Sequence, residues 1–449
     1  MTVPVRLTGV PVGEGTAPVT AEVVDRAVRL APAAAPAPGT PPRSLLLPGL
    51  VNLHDHLRAF MPTGRRTEGA PLTQVITAAA ATQAVATPQE HRALTALASA
   101  RQLRAGVTSV VDHVYPLHRP ELLDAAVAGH RDVGVRASVA LGVMTRGDAR
   151  TCTTVADVAR LAERALAELL PADRLFLAPV SLRQAAAEDY ADTVAAADRL
   201  GLRLYTHIAE TVAEVEQCVA EHGVRPVELL HRLGFLRPGT VLVHCVQLSD
   251  REVGLLAGTG TAVVYCPTNH LRLAKGFARV ADLVDAGVTV GLGIDGTESL
   301  FHEMRQAVYA QGQARLDPAA LGSAAAYAMA TVQGARALGV AGVDGRLDGS
   351  PDVVRLDARR VGLQPLVDPV WSVVHRAGPG DVTDVVVDGR LVLHDGRLTG
   401  SDEDELVERA YVATRDMAHR TGTTDPADWP PVDLSDRLDR RSNTREGTQ

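Results

Sequence analysis

From Leu47 to about residue 340 the chain alternates short β-branched runs with Ala/Leu-rich stretches of helical period, and nothing else in the sequence narrows the fold as much. Strands buried on both faces read as near-continuous apolar runs, and parallel neighbours need a helical crossover between them. Eight such runs are present, at 49–56, 107–113, 135–143, 175–181, 202–207, 240–245, 261–266 and 288–295, with helical patterns such as 155–170 and 212–223 between them. Eight βα units in about 250 residues predict an α/β fold of the (β/α)8 TIM-barrel type. A doubly wound sheet is the rival, but no strand is followed by a G-x-G-x-x-G or P-loop signature.

The flanks have a different texture. Residues 1–46 hold short valine-rich runs and then a Pro/Ala linker at 31–44, which cannot be helical throughout. Residues 345–400 hold alternating runs around Asp388-Gly389, a dipeptide suited to a hairpin turn. Residues 1–46 and 345–400 are therefore expected to pair into a small β-sandwich beside a barrel spanning 47–344. Residues 401–449 are expected to form a helix followed by a flexible, charged tail.

Composition excludes several classes of protein. A net charge of −8 and no Lys/Arg cluster interleaved with aromatics leave no footprint for nucleic acid. No run approaches the roughly 20 apolar residues of a membrane span, and the first residues lack a signal-peptide core, so a cytoplasmic chain without membrane contact is expected. The four cysteines contain no Cys-x-x-Cys pair and are expected to be reduced and mostly buried. Basic charge is almost all arginine; Lys275 is the one lysine in the sequence.

In a barrel of this type the chemistry sits at the C-terminal ends of the strands. The first run ends in His54 and His56, two residues apart and so on the same side of a strand. The second ends in Asp112 and His113, the fifth in His207, the sixth in His244 and the eighth in Asp295, with Glu210 three residues after His207. One histidine at a strand end is usually a hydrogen-bonded core or surface residue. Their recurrence at several strand ends points to a shell of imidazole and carboxylate, the donor set of Zn²⁺ or Fe²⁺, with His54, His56, His207 and Asp295 as ligands. An isolated carboxylate at a barrel mouth is costly to keep ionised, and a cation removes that cost.

The motifs "PGLVNLHDH", "HIAE", "VHC", "YCPTNHLRLAKG" and "GLGIDG" together resemble the amidohydrolase superfamily, and within it the branch of cyclic-amidine deaminases and triazine hydrolases that includes guanine-type and 8-oxoguanine deaminases. "TSVVDHVYP" is similar to a segment of oxopurine and hydroxytriazine members. Three segments depart from the family pattern: "APVSLRQ" after the fourth strand, "PTNH" and "DGTESL". The Pro/Ala linker also displaces the strand expected just before Leu47. Members with two metals bridge them through a carboxylated lysine on the fourth strand; with Lys275 after the seventh, the resemblance implies a mononuclear site, Zn²⁺ first and Fe²⁺ second.

The expected reaction is hydrolytic deamination of a purine, pyrimidine or triazine-like small molecule. Asp295 would accept the proton of an activated water, His244 would steady the oxyanion, and Glu210, poised nearer neutrality, would protonate the ring nitrogen. Arg58, His113 and Tyr115 are candidate substrate contacts. Hydrolysis of an amide, imine or carbon–chlorine bond is the alternative reaction, and a non-catalytic binding barrel a more remote one. Homo-oligomerisation is left open.

Overall fold

A computed structural model describes residues 5–34, 37, 40–57, 69–70, 72–296 and 299–422. Eight parallel strands form one sheet in sequence order: Leu50–Asp55, Val107–Val114, Arg136–Val143, Leu175–Pro179, Arg203–Ile208, Val241–His244, Ala262–Tyr265 and Val290–Leu292. The barrel closes where the Ile294 amide donates to the His54 carbonyl oxygen at 3.1 Å. Every run predicted as a barrel strand is one, and the last is the most shortened, because the Gly-rich segment leaves the ladder before Asp295.

The strands are apolar on both faces because both are covered. Leu53, Val111, Phe176, Val243 and Val264 belong to the cluster filling the barrel, while a second cluster packs strands against the surrounding helices. The helices carry sequence-encoded ends. Thr154 caps Val155–Glu168 through a reciprocal box with Asp157. Thr211 caps Val212–His222, which ends at Gly223 with φ 70°.

The flanking strands form a second, mixed sheet in the order Arg397–Leu398, Arg390–His394, Val382–Val387, Val353–Asp357, Ser44–Leu47, Arg6–Pro11, Val19–Val24, Ala27–Pro32. Arg6–Pro11 pairs with Val19–Val24 through residues 6–9 and with Ser44–Leu47 through residues 10–11, so two layers share it. Leu7, Ala21 and Val28 join Leu46, Val353 and Val386 in one apolar cluster, a small core of its own. Asp388 and Gly389 both take positive φ, the backbone of a two-residue hairpin turn.

One expectation is corrected. A strand does precede the barrel, Ser44–Leu47, because the apolar triplet Leu45–Leu47 pairs with Val353–Asp357 and Arg6–Pro11 and overrides the prolines before it. The helix Glu403–Thr421 is capped by Asp402 and packs Ala410, Ala413 and Met417 against Ala93 and Leu94 of Pro88–Arg104. The tail beyond it, and Arg58, lie outside the described residues. Among the described residues no helix is long and apolar enough to cross a membrane.

Candidate metal and active site

Three histidines converge at the C-terminal mouth of the barrel, and each is fixed from behind. His54 Nδ1 lies 2.7 Å from the Tyr205 hydroxyl, which itself donates to the Leu53 carbonyl oxygen at 2.9 Å. Burial pushes the Tyr205 phenol well above its usual range, so it keeps its proton. With that proton directed at Leu53, the hydroxyl oxygen accepts from His54 Nδ1–H. His207 Nδ1–H donates to the Val180 carbonyl oxygen at 2.7 Å and His56 Nδ1–H to that of His113 at 3.2 Å. All three imidazoles thus present a bare Nε2 lone pair to the barrel mouth.

Those lone pairs meet one another and a carboxylate. His54 Nε2 is 3.2 Å from His207 Nε2, and Asp295 Oδ1 is 3.3 Å from His54 Nε2 and 3.7 Å from His56 Nε2. Two acceptor lone pairs at such a separation repel unless they share a cation, so this donor set fits a divalent metal and little else. Burial alone would raise the Asp295 carboxyl; positive charge around it, on His54 and His244 when protonated and on Lys275, holds it well below the usual carboxylate range, a charge that a cation supplies when the imidazoles are neutral.

The aspartate between the first two histidines has a different task. Asp55 Oδ1 accepts from the amides of His56 at 2.9 Å and Gly296 at 3.1 Å, and Oδ2 from Asn52 and Gln102. Asn52 Oδ1 accepts from the amides of His54 and Ile294. Asn52 and Asp55 therefore staple the first strand to the segment after the eighth and fix the distance between His54 and Asp295. Burial raises the Asp55 carboxyl to about 6.

Removing one of these braces has a measurable consequence. Tyr205→Phe leaves His54 Nδ1–H without its acceptor, so zinc affinity should fall by about 10- to 100-fold in a chelator competition. An unchanged affinity would mean that Tyr205 does not orient the ligand.

A second group stands beside the first. His244 Nε2 is 3.3 Å from Glu210 Oε1 and 3.9 Å from Asp295 Oδ2, and its Nδ1 is 3.1 Å from His270 Nε2. Facing carboxylates on one side, His244 carries its proton on Nε2 and accepts from His270 Nε2–H on the other. Burial lowers the His244 pKa well below the ordinary imidazole value and that of His270 to about 3, so both rings are neutral. Ala209, His244, Cys245 and Asp295 all take positive φ between 47° and 77°. Such backbone is unfavourable for residues other than glycine, and here it falls beside or within the reactive groups.

Glu210 departs from the expectation of a carboxyl poised near neutrality. Lys275 Nζ lies 2.5 Å from its Oε1, and Arg183 Nη2 lies 2.5 Å from its Oε2. Burial would raise the Glu210 pKa, but the Lys275 ammonium first, and the Arg183 guanidinium with it, pull it well below the usual range. Arg183 is anchored in turn by Glu214 at 2.9 Å.

The cavity over these groups is lined by His56, His207, Glu210, His244 and Asp295 on its polar floor. Leu72, Val75, Ile76 and Ala79 of the helix Leu72–Val85 form an apolar wall, and Tyr115 joins the lining. His113 is fully buried and does not line the cavity; its ring stacks 4.9 Å from that of His207, and one of its nitrogens lies within 4.8 Å of nitrogens of His54 and His207. Sequence reading missed Tyr205, His270 and the pocket helix, and gave no site role to Arg183, Asn269 or Lys275. The lone lysine and the unusual "SLRQ" were the available signals.

Residues 45–392 match the model of the amidohydrolase family, and the chain belongs to that family. It is 33% identical over 389 residues to a 5'-deoxyadenosine deaminase of Methanothermobacter thermautotrophicus, covering 83% of this chain and 87% of the relative. It is 32% identical over 380 residues to a 5-methylthioadenosine/S-adenosylhomocysteine deaminase of Nitratidesulfovibrio vulgaris, covering 82% and 84%. Among solved structures, a zinc-bound adenosine deaminase from Xanthomonas campestris superposes with a TM-score of 0.81 at 28% identity, covering 89% of this chain and 94% of that one. A zinc complex of atrazine chlorohydrolase from Arthrobacter aurescens superposes with a TM-score of 0.80 over 88% and 95%; at 20% identity this is a likeness of fold. The converging histidines and aspartate make this a divalent-metal site.

Proposed function

We propose that the protein is a hydrolase that deaminates a nitrogen heterocycle containing a cyclic amidine, with one Zn²⁺ held by His54, His56, His207 and Asp295. The observation that carries this reading is the set of three imidazoles, each pinned through Nδ1, with His54 and His56 Nε2 facing Asp295, His207 Nε2 beside that of His54, and Glu210 and His244 alongside. When bound, a divalent cation here would lower the pKa of water towards about 7 and so supply a nucleophile at neutral pH.

The chain's own residues handle protons and charge. Glu210, held ionised by Lys275 and Arg183, acts first as a base; it takes a proton from the attacking water and passes it to the ring nitrogen. Asp295 faces the same region and accepts the second proton as the tetrahedral carbon forms. His244 Nε2–H donates to the oxygen gaining charge. The C–N bond then breaks, the amine leaves as ammonia after protonation, and the carbon keeps the oxygen as a carbonyl. The apolar wall from Leu72–Val85 receives the flat ring and limits water.

Metal analysis of the purified protein with an ammonia-release screen over purines, pyrimidines and triazines tests this reading. The expected result is one zinc per chain and ammonia from at least one class. A metal-replete protein that releases no ammonia from any of them, or that releases chloride from a chlorotriazine instead, would overturn it.

A further inference from the structure

The single lysine of the sequence is buried at the cavity, with its side chain 2% exposed. A buried ammonium is costly unless paired, and Lys275 has two partners: Glu210 Oε1 and the side-chain oxygen of Asn269. Asn269 is itself held, donating to the Asp295 carbonyl oxygen at 3.1 Å. The ammonium has three hydrogens. One goes to Asn269, Glu210 holds the charge as an ion pair, and the ammonium keeps donor capacity for whatever enters the cavity that Lys275 lines.

The spacing of this pair fits one chemical unit. Glu210 Oε1 and Lys275 Nζ, 2.5 Å apart, offer a proton-transfer oxygen and a cationic donor side by side. In an N–C=O unit the nitrogen and oxygen are separated by about 2.2 Å, as bond lengths near 1.33 and 1.23 Å dictate. A ring nitrogen served by Glu210 therefore brings a carbonyl on the next ring carbon to Lys275. Charge agrees with this: as water adds to the amine-bearing carbon, electron density moves through the ring nitrogen onto that oxygen, where an ammonium stabilises it. A planar guanidinium could not occupy the same compact position between Glu210 and Asn269, which accounts for a lysine in a chain that otherwise uses arginine.

We propose that Lys275 determines specificity by donating to a ring carbonyl oxygen next to the nitrogen at which Glu210 works, so that the substrates are amino-oxo heterocycles containing the C(NH2)–N–C=O unit. This rests on the deaminase reading and narrows it. It separates such rings from aminopurines that carry hydrogen at the corresponding carbon.

The test compares matched pairs on the zinc-loaded full chain: 2-oxoadenine with adenine, cytosine with 4-aminopyrimidine, and ammeline with melamine. The expected result is kcat/KM at least about tenfold higher for the oxo member of the best pair, with Lys275→Met bringing the two within about threefold. Lys275→Gln, which keeps a neutral donor, should retain part of the preference. Equal rates for both members in the unmodified protein would overturn the proposal, and that comparison needs no variant to fold. Equal loss on both members in Lys275→Met would also overturn it, since Lys275 would then only position Glu210. Ammonia from neither half of the panel would sink the deaminase reading itself, a result distinct from unselective turnover.

Discussion

Glu210→Gln should leave the protein folded and metal-loaded while lowering turnover by about 10²- to 10⁴-fold, the usual contribution of a positioned general acid/base. The change is close to isosteric, and the amide keeps an acceptor oxygen for Lys275. Arg183 retains Glu214 as a charge partner. What disappears is a group able to take a proton from water and return it to the substrate. Metal content and thermal melting serve as controls, because Glu210 lies outside the ligand set proposed for His54, His56, His207 and Asp295. Turnover within a few-fold of the unmodified protein would reassign the proton transfer to His244 or Asp295.

Stripping the metal with a chelator should abolish turnover and lower the melting temperature, and adding back zinc should restore both. The physical cause is the same in each case: without a cation, Nε2 lone pairs such as those of His54 and His207, 3.2 Å apart, repel each other in a buried site. Zinc at about 100 times its dissociation constant stabilises the folded state by about 2.7 kcal/mol. His54→Ala should show the activity loss without zinc rescue. Full activity after exhaustive chelation would remove the cation from the chemistry altogether.

The barrel was legible because strands covered on both faces must be apolar throughout, and the intervening helices carry period and caps that need no long-range information. His54, His56, His207, His244 and Asp295 were legible for a related reason: they interrupt apolar runs at the end where a barrel exposes its loops. Orientation behind or before the ligand shell was not legible. His113 ends a run as His207 does, yet it stacks on His207 without lining the cavity. The state of Glu210 was also hidden, since it depends on Arg183, 27 positions away, and on Lys275 across the mouth. The brace on His54 comes from a tyrosine 151 positions along the chain. The helix Leu72–Val85 escaped because its run of Ala and Thr carries no contrast between faces.

The burial of Lys275 reaches beyond specificity. A lysine-directed endopeptidase finds one cleavable bond in this chain, Lys275–Gly276, and in the native protein that side chain is enclosed. Appearance of the two fragments, 1–275 and 276–449, therefore reports exposure of Lys275, by local opening of the barrel mouth or by global unfolding. The molecule carries its own unfolding gauge, read on a gel without a dye or a label.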